Sequence, residues 1–464
     1  MPDPVIGPRI RAVENMVARA RAANRQQSGQ DPCTTCPEVE IWASFFFDGT
    51  GNNKEQHFPN SHSNVAGLFD AHKADRAAGV ARFYYEGIGT KFEFEQRHRT
   101  ELRGNRAGVY KVDVNGYEEG DSKWNSAFGS NMDVRLEKAV FDLESIDEDI
   151  RARRKVKSIN IAAFGFSRGA TTARAFMHWL KEHSKIKVMG RELEWDGIPF
   201  KVKFLGLFDT VESVGEAGGN DQPKLIKTSV PTFVEKACHI IAAHEMRQAF
   251  PVTVLGSNQY TQVVYPGAHA DIGGGYGPTE QARTNNLARV AGVQMLDEAR
   301  GANLKMFSVG EMQGSERWGR LFKPSFEVMP ATKKAWSDYQ PHLSVQAGPI
   351  DRVIHAHLTL YRAWLDAGLA MEDAMAKRKA VSVGSDEADA LGRQRHLYQF
   401  LLKSQRGRTG EKPLRGGVPA GVENLFENYV HDSFEHFSLT GGTLMADFSE
   451  ADYYRDRTVL APKS

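Results

Sequence analysis

Ser158-Ile159-Asn160-Ile161-Ala162-Ala163-Phe164-Gly165-Phe166-Ser167-Arg168-Gly169-Ala170 decides the reading of the chain. It opens as an apolar run after a basic segment, which predicts a buried strand. It then turns through Gly-x-Ser-x-Gly. From Thr171 to Leu180, Ala173, Phe176, Met177 and Leu180 recur at helical spacing. Strand, Gly-x-Ser-x-Gly and helix form the context of a nucleophile elbow, in which the serine hydroxyl stands above the sheet at the positive end of a helix. An ordinary tight turn would use the same residues, and 43 glycines make a chance match conceivable. The context on both sides favours the elbow.

Working outward, further strands end in residues suited to chemistry. Ile41 to Phe47 reads as an aromatic strand running into Asp48-Gly49-Thr50-Gly51-Asn52-Asn53. Such a loop can present several N–H groups to one point, and it lacks the Lys-[Ser/Thr] of a phosphate-binding loop. A helix is predicted from Ser63 to about His72, and a second strand at Arg82 to Tyr85. Lys201 to Phe208 reads as a strand ending at Asp209, and Thr261 to Pro266 as one ending before His269. Between them, Thr232 to Phe250 reads as a helix. Asn131 to Ile150 reads as an amphipathic helix, and Lys91 to Lys123 as a charged insertion or mobile loop.

Alternating strands and helices predict an α/β fold: an α/β-hydrolase-like, mostly parallel sheet flanked by helices. Beyond residue 285 the pattern becomes helical (Arg352 to Ala380, Glu387 to Lys403), with no clear apolar strand. The expected organisation is an N-terminal helix and Cys-containing linker (1–39), an α/β-hydrolase catalytic core (40–285) and a mostly helical C-terminal region (286–464) able to act as a cap or lid. Arg9 to Arg25 carries the N-terminal helical spacing.

The net charge of +1 argues against a broad nucleic-acid-binding surface and gives no general pull towards anionic lipid. Three cysteines make no disulfide framework. Cys33-x-x-Cys36 lacks a second pair, so a zinc site is not expected, although His57 and His62 follow it. The N-terminus has no signal-peptide pattern, and no apolar run approaches the roughly eighteen residues of a membrane span. No metal or cofactor is expected.

Ser167, Asp209 and His269 follow one another in the chain order of α/β hydrolases. Serine needs an imidazole to take its proton, and the imidazole needs a carboxylate to fix its tautomer. The oxyanion would receive the N–H of Arg168 and one from the Asp48–Thr50 loop, with Gly49 the favoured donor. His431 is a rival base. His244, in the predicted helix, reads as structural. Asp271 reads as a residue that orients its own loop.

The blocks Phe47-Asp48-Gly49-Thr50-Gly51-Asn52-Asn53, Gly165-Phe166-Ser167-Arg168-Gly169-Ala170, Gly206-Leu207-Phe208-Asp209-Thr210-Val211 and Pro266-Gly267-Ala268-His269-Ala270-Asp271-Ile272-Gly273-Gly274-Gly275-Tyr276 together resemble the type VI secretion phospholipase effectors of the first Tle class. Asn64-Val65, Tyr84 to Thr90 and Glu245-x-Arg247 sit where similar blocks fall. The resemblance covers roughly residues 40 to 280. It implies a serine hydrolase, without cofactor, that cleaves acyl esters of bacterial membrane glycerophospholipids, with Ser167, Asp209 and His269 as triad. It further implies synthesis in a bacterial cytoplasm, delivery by a type VI spike component to the target periplasm, and neutralisation by a cognate immunity protein. An esterase or thioesterase acting on a soluble substrate, and a non-enzymatic binding scaffold, are the alternatives that the residues alone leave open.

Overall fold

The structure, a computed structural model, describes residues 37–90, 92–98, 108–114, 127–212, 226–247, 249–370, 417–433 and 456–463. The elements of the first half are β1 (Glu38–Phe47), α1 (Lys54–His57), α2 (Asn64–Ala71), β2 (Val80–Tyr85), β3 (Phe92–His98), β4 (Gly108–Val114), α3 (Ala127–Arg151), β5 (Lys155–Phe166), α4 (Arg168–Lys181), β6 (Ile186–Met189), β7 (Glu192–Trp195) and β8 (Ile198–Phe208). There follow β9 (Ala237–Ala242), β10 (Val252–Thr253), β11 (Thr261–Tyr265), α5 (His269–Gly273), α6 (Leu287–Gly301), α7 (Val309–Gln313), α8 (Gly319–Phe326), α9 (Pro330–Tyr339), α10 (Ile350–Ala370), α11 (Ala420–Asn428) and β12 (Val459–Leu460).

Six parallel strands run in the order β11-β9-β8-β5-β1-β2, and the β6–β7 hairpin joins antiparallel at β8. Side chains alternate between two buried faces, as a doubly covered parallel sheet requires. On β5, Ile159, Ile161 and Ala163 pack with Phe176 and Leu180 of α4 and Leu143 of α3. Ala162, Phe164 and Phe166 turn to the other face, with Ala291, Met295 and Leu296 of α6. Phe46 of β1 stacks on Phe164 at 4.8 Å between ring centroids. Because α6 seals this second face, the core of the sheet is completed by elements on both sides of residue 285. A third apolar cluster joins α9, α10 and α11. Among the described residues no helix is long and apolar enough to cross a membrane.

The registers align the strand ends. Phe47 lies beside Gly165, Phe166 beside Phe208, Phe208 beside Ile240, and Ala242 beside Tyr265. The residues that follow β1, β5, β8 and β11 therefore meet at one edge, the carboxyl edge where α/β sites form.

The expected helix at Thr232–Phe250 is instead β9 followed by a loop. Ala237-Cys238-His239-Ile240-Ile241-Ala242 is buried at every position. A strand buried on both faces carries no alternation, and its apolar run is indistinguishable from a buried helix. The expected mobile loop contains an antiparallel pair, with Phe92 opposite Val114; the period-2 alternation of Phe92-Glu93-Phe94-Glu95 was the signal. A strand also occurs late in the chain: β12 pairs in parallel with β10, Val252 opposite Val459, in a ladder too short to leave a pattern. The helical readings of Arg9–Arg25 and Glu387–Lys403, and the Cys33–Cys36 pair, lie outside the described residues.

Candidate active site

Ser167 occupies φ 57°, ψ −124°, between the last residue of β5 and the first of α4. A non-glycine residue held there costs on the order of 1–3 kcal/mol, which the surroundings must offset. They do so through the main chain. Ser167 N–H donates to Phe208 O at 3.0 Å, and Ser167 O accepts from Val211 N–H at 3.3 Å, so the elbow is tied to the Asp209 loop on both sides. The two glycines of the motif are required by contact. A Cβ at Gly165 would lie 2.4 Å from Gly169 O, and one at Gly169 would lie 2.3 Å from both Phe47 O and Asp48 O.

Asp209 follows β8 at φ 43° and is fully buried. Its Oδ2 accepts from His269 Nδ1–H at 2.5 Å, and its Oδ1 accepts from Ala242 N–H at 2.9 Å. Arg457, from the far end of the chain, donates from Nη1 to Oδ1 at 2.6 Å and from Nη2 to Oδ2 at 2.8 Å. Burial pushes the Asp209 carboxyl up, but the Arg457 charge and the His269 hydrogen bond outweigh it and hold the group well below the usual carboxylate range. His269 opens α5. Burial lowers its pKa, and the opposing pull of Asp209 restores only part of the shift. Its ring lies 4.6 Å from that of Phe166 and 5.1 Å from that of Phe250. Among the described residues no hydrogen bond joins Ser167 Oγ to the His269 ring.

The loop after β1 lies directly over the elbow. A Cβ at Gly49 would meet Phe166 Cδ1 at 2.5 Å, and Arg168 Nε donates to Thr50 Oγ1. The backbone donors of this loop are unequal. Asp48 N–H goes to Tyr85 O at 2.9 Å. Gly49 N–H, the donor favoured from sequence, is turned onto Asp48 Oδ1 at 2.7 Å. Thr50 N–H alone of the three has no partner among the described residues. The Asp48 carboxylate accepts from Ser63 Oγ at 2.7 Å and from Tyr84 OH at 2.5 Å as well. Burial raises its pKa in spite of these bonds.

The rivals fall elsewhere. His431 Nδ1 meets Asp271 Oδ1 at 2.6 Å and its N–H meets Asp271 Oδ2 at 2.9 Å; both side chains are sealed, and Tyr276 stacks on the ring at 4.0 Å. Asp271 also accepts from Ala268 N–H, so it does orient the His269 loop. His244 lies after β9, in a loop and not a helix, and accepts from Gly267 N–H through Nδ1. Glu245 and Arg247 pair with each other, and the Arg247 guanidinium lies 3.7 Å over Phe250. The residue that sequence reasoning missed is Arg457: Tyr454-Arg455-Asp456-Arg457 has no periodicity and no motif that points 248 positions back.

A parallel sheet with a strained serine at a strand-to-helix turn, and an Asp–His pair delivered from the ends of β8 and β11, defines an α/β-hydrolase-like protein. The family described as T6SS, phospholipase effector Tle1-like, catalytic domain matches residues 44–192 and 181–298, more than half of the chain, and the chain belongs to it. Among solved structures, the chain is similar to an uncharacterized protein from Pseudomonas aeruginosa at 19% identity, over 99% of this chain and 84% of that one, with a TM-score of 0.57. It is also similar to the Tle1 effector bound to the VgrG spike of the type 6 secretion system, at 17% identity, over 69% of this chain and 84% of that one, with a TM-score of 0.43. No curated protein matches.

Proposed function

We propose that the chain hydrolyses acyl esters of membrane glycerophospholipids, with Ser167 as nucleophile, His269 as base and Asp209 as the carboxylate that orients it. The observation that carries this reading is the strained Ser167 elbow, tied by backbone bonds to the loop whose Asp209 holds His269 at 2.5 Å. Ser167 Oγ attacks the ester carbonyl as His269 Nε2 takes its proton. The tetrahedral oxyanion is met by Arg168 N–H, at the start of α4, and by Thr50 N–H. Collapse expels the lysolipid alcohol, which takes the proton from His269. Water, activated by the same imidazole, then releases the fatty acid from the acyl-serine.

Membership of an effector family supports delivery by a type VI spike component into a target periplasm, with an immunity protein protecting the producer. The helices after residue 286 supply the candidate wall for an acyl chain, since pockets for such ligands are lined mainly by apolar side chains.

The test is fatty-acid release from phosphatidylethanolamine and phosphatidylglycerol vesicles, run beside a soluble short-chain ester. Wild type should prefer the vesicles, and Ser167→Ala should lose turnover by a factor on the order of 10⁶ while staying folded. Fluorophosphonate should label wild type and not the variant. Residual turnover in folded Ser167→Ala removes the serine mechanism, and a preference for the soluble ester removes the lipid assignment.

A further inference from the structure

Among the described residues six arginines are almost wholly buried: Arg135, Arg168, Arg174, Arg289, Arg362 and Arg457. Arg135 and Arg174 donate to backbone carbonyls, Arg168 to Thr50, Arg362 to Asp456 and Arg457 to Asp209. Arg289, only 4% exposed, is the exception. Among the described residues its guanidinium has no hydrogen bond, no carboxylate and no aromatic face. Burial alone acts on it, lowering its pKa to about 10. A buried cation without a partner costs stability. Its nitrogens are nevertheless not among the sealed, unpartnered atoms of the described residues, so they keep contact with solvent.

Arg289 stands in the first turn of the fifteen-residue helix α6. That helix has no side-chain cap, because Asn286 is occupied elsewhere: it donates to Glu327 O and accepts from Met329 N–H and Thr332 Oγ1. Within that turn Ala288 N–H bonds Asn285 O at 3.3 Å and Arg289 N–H bonds Asn286 O at 3.1 Å, so the guanidinium carries the donors that remain open. His62 is close enough for the Arg289 charge to depress its pKa, which burial and that charge bring to about 3. Its Nε2 bonds Ser325 Oγ at 2.8 Å.

This positive turn is fastened to the helix that begins with His269. Asn64 Nδ2 donates both to Ile272 O at 2.7 Å and to Ala288 O at 2.8 Å, and Ser63 bridges to Gly274. We infer that the Arg289 guanidinium, in the first turn of α6 and flanked by His62, forms a phosphate-binding subsite that receives the phosphodiester of the lipid headgroup while the acyl ester lies at Ser167. A guanidinium fork matches the geometry of phosphate oxygens, and burial removes the water that would compete for it. The ligand supplies the anion that the protein withholds. This rests on the phospholipase reading above.

The test uses the full chain, Arg289→Met and Arg289→Lys. Glycerophosphate should raise the melting temperature of wild type and leave that of Arg289→Met unmoved. Without ligand, Arg289→Met should melt higher than wild type, since an unpaired buried charge is gone. The ratio of kcat/KM for phosphatidylglycerol to that for a phosphate-free short-chain ester should fall by about tenfold or more, with Arg289→Lys between. No glycerophosphate shift in wild type, or an unchanged ratio, overturns the inference. If inorganic phosphate shifts wild type as strongly while the ratio stays constant, free phosphate is the ligand and the headgroup assignment falls. Failure of the phospholipase reading shows differently: wild type is inactive on every phospholipid, yet the Arg289-dependent glycerophosphate shift, which supports the anion site, persists.

Discussion

Arg457 grips both carboxylate oxygens of Asp209, at 2.6 and 2.8 Å, across 248 positions of sequence. It is anchored in turn by Phe250 O and Ala242 O, so the fork cannot swing away. With Ala242 N–H on Oδ1, the carboxylate has one direction left in which to accept, and His269 Nδ1–H occupies it. The ring nitrogen that faces away from Asp209, Nε2, is thereby left as the acceptor that a general base needs. Arg457 thus acts on the imidazole through Asp209.

Replacing this clamp should cost stability in a pH-dependent way. Arg457→Met leaves Asp209 buried with His269 and Ala242 as partners, and breaking a buried pair from one side costs about 3 kcal/mol. The folded pKa of Asp209 is depressed. Its contribution is therefore present above the unfolded carboxylate value of about 3.9 and is lost as pH falls towards the folded value. Urea midpoints of wild type and Arg457→Met should lie furthest apart near pH 7 and converge in acid below about pH 4. A gap that does not change with pH would show that Arg457 acts by packing alone. Arg457→Lys should recover part of kcat.

The second expectation concerns His269. Burial lowers its pKa and Asp209 pulls it back up. The base must be neutral to act, so kcat/KM should fall as pH drops through a limb below the ordinary histidine value of about 6.5. Asp209→Asn removes the upward pull. Its limb should move to lower pH, with kcat reduced by about 10⁴ through loss of the tautomer. His269→Ala should be at least as impaired. A limb that stays in place in Asp209→Asn but moves in Asp271→Asn would transfer the role to His431.

What was legible follows from how far each signal travels along the chain. The elbow, Asp209 and His269 each sit within a few residues of their own strand end, so strand and motif could be read together. β9 was illegible as a strand because Ala237 to Ala242 is buried on both faces. The loop after β1 was legible as a Gly- and Asn-rich turn, but which N–H among Asp48, Gly49 and Thr50 stays unpartnered was not. That choice depends on the Asp48 carboxylate folding back on Gly49 N–H, which Ser63 and Tyr84 stabilise from distant elements. Arg457 depends on where the end of the chain returns, and β12 marks that return with two residues.

The oxyanion assignment separates donor from side chain at Thr50. Thr50→Pro removes the N–H and should lower kcat by about 10² to 10³ with little change in KM. Thr50→Val keeps the N–H and loses only the Oγ1 bond to Arg168, so it should retain most of kcat. Equal losses in the two variants would assign the effect to the Arg168 contact.

The last prediction tests how tightly the ring beside the serine is held. Phe166 precedes Ser167 and lies against His269. A Cβ at Gly273 would reach 2.0 Å from Phe166 Cε2, and one at Gly49 would reach 2.5 Å from Cδ1, on the opposite edge. The ring is therefore closed in by two glycines, and it cannot yield to a methyl on one side without meeting the other. Gly273→Ala should push Phe166 against the His269 ring. Overpacking of this kind costs about 1–3 kcal/mol, and the displaced imidazole should lower kcat by more than tenfold. Gly190→Ala is the comparison: its Cβ meets nothing within 4 Å, and its φ of +68° costs on the order of 1 kcal/mol of backbone strain. Both variants should lose stability, and only Gly273→Ala should lose turnover. Melting temperature and kcat measured side by side decide it, and full activity in Gly273→Ala would mean that the ring has room to move that the packing denies.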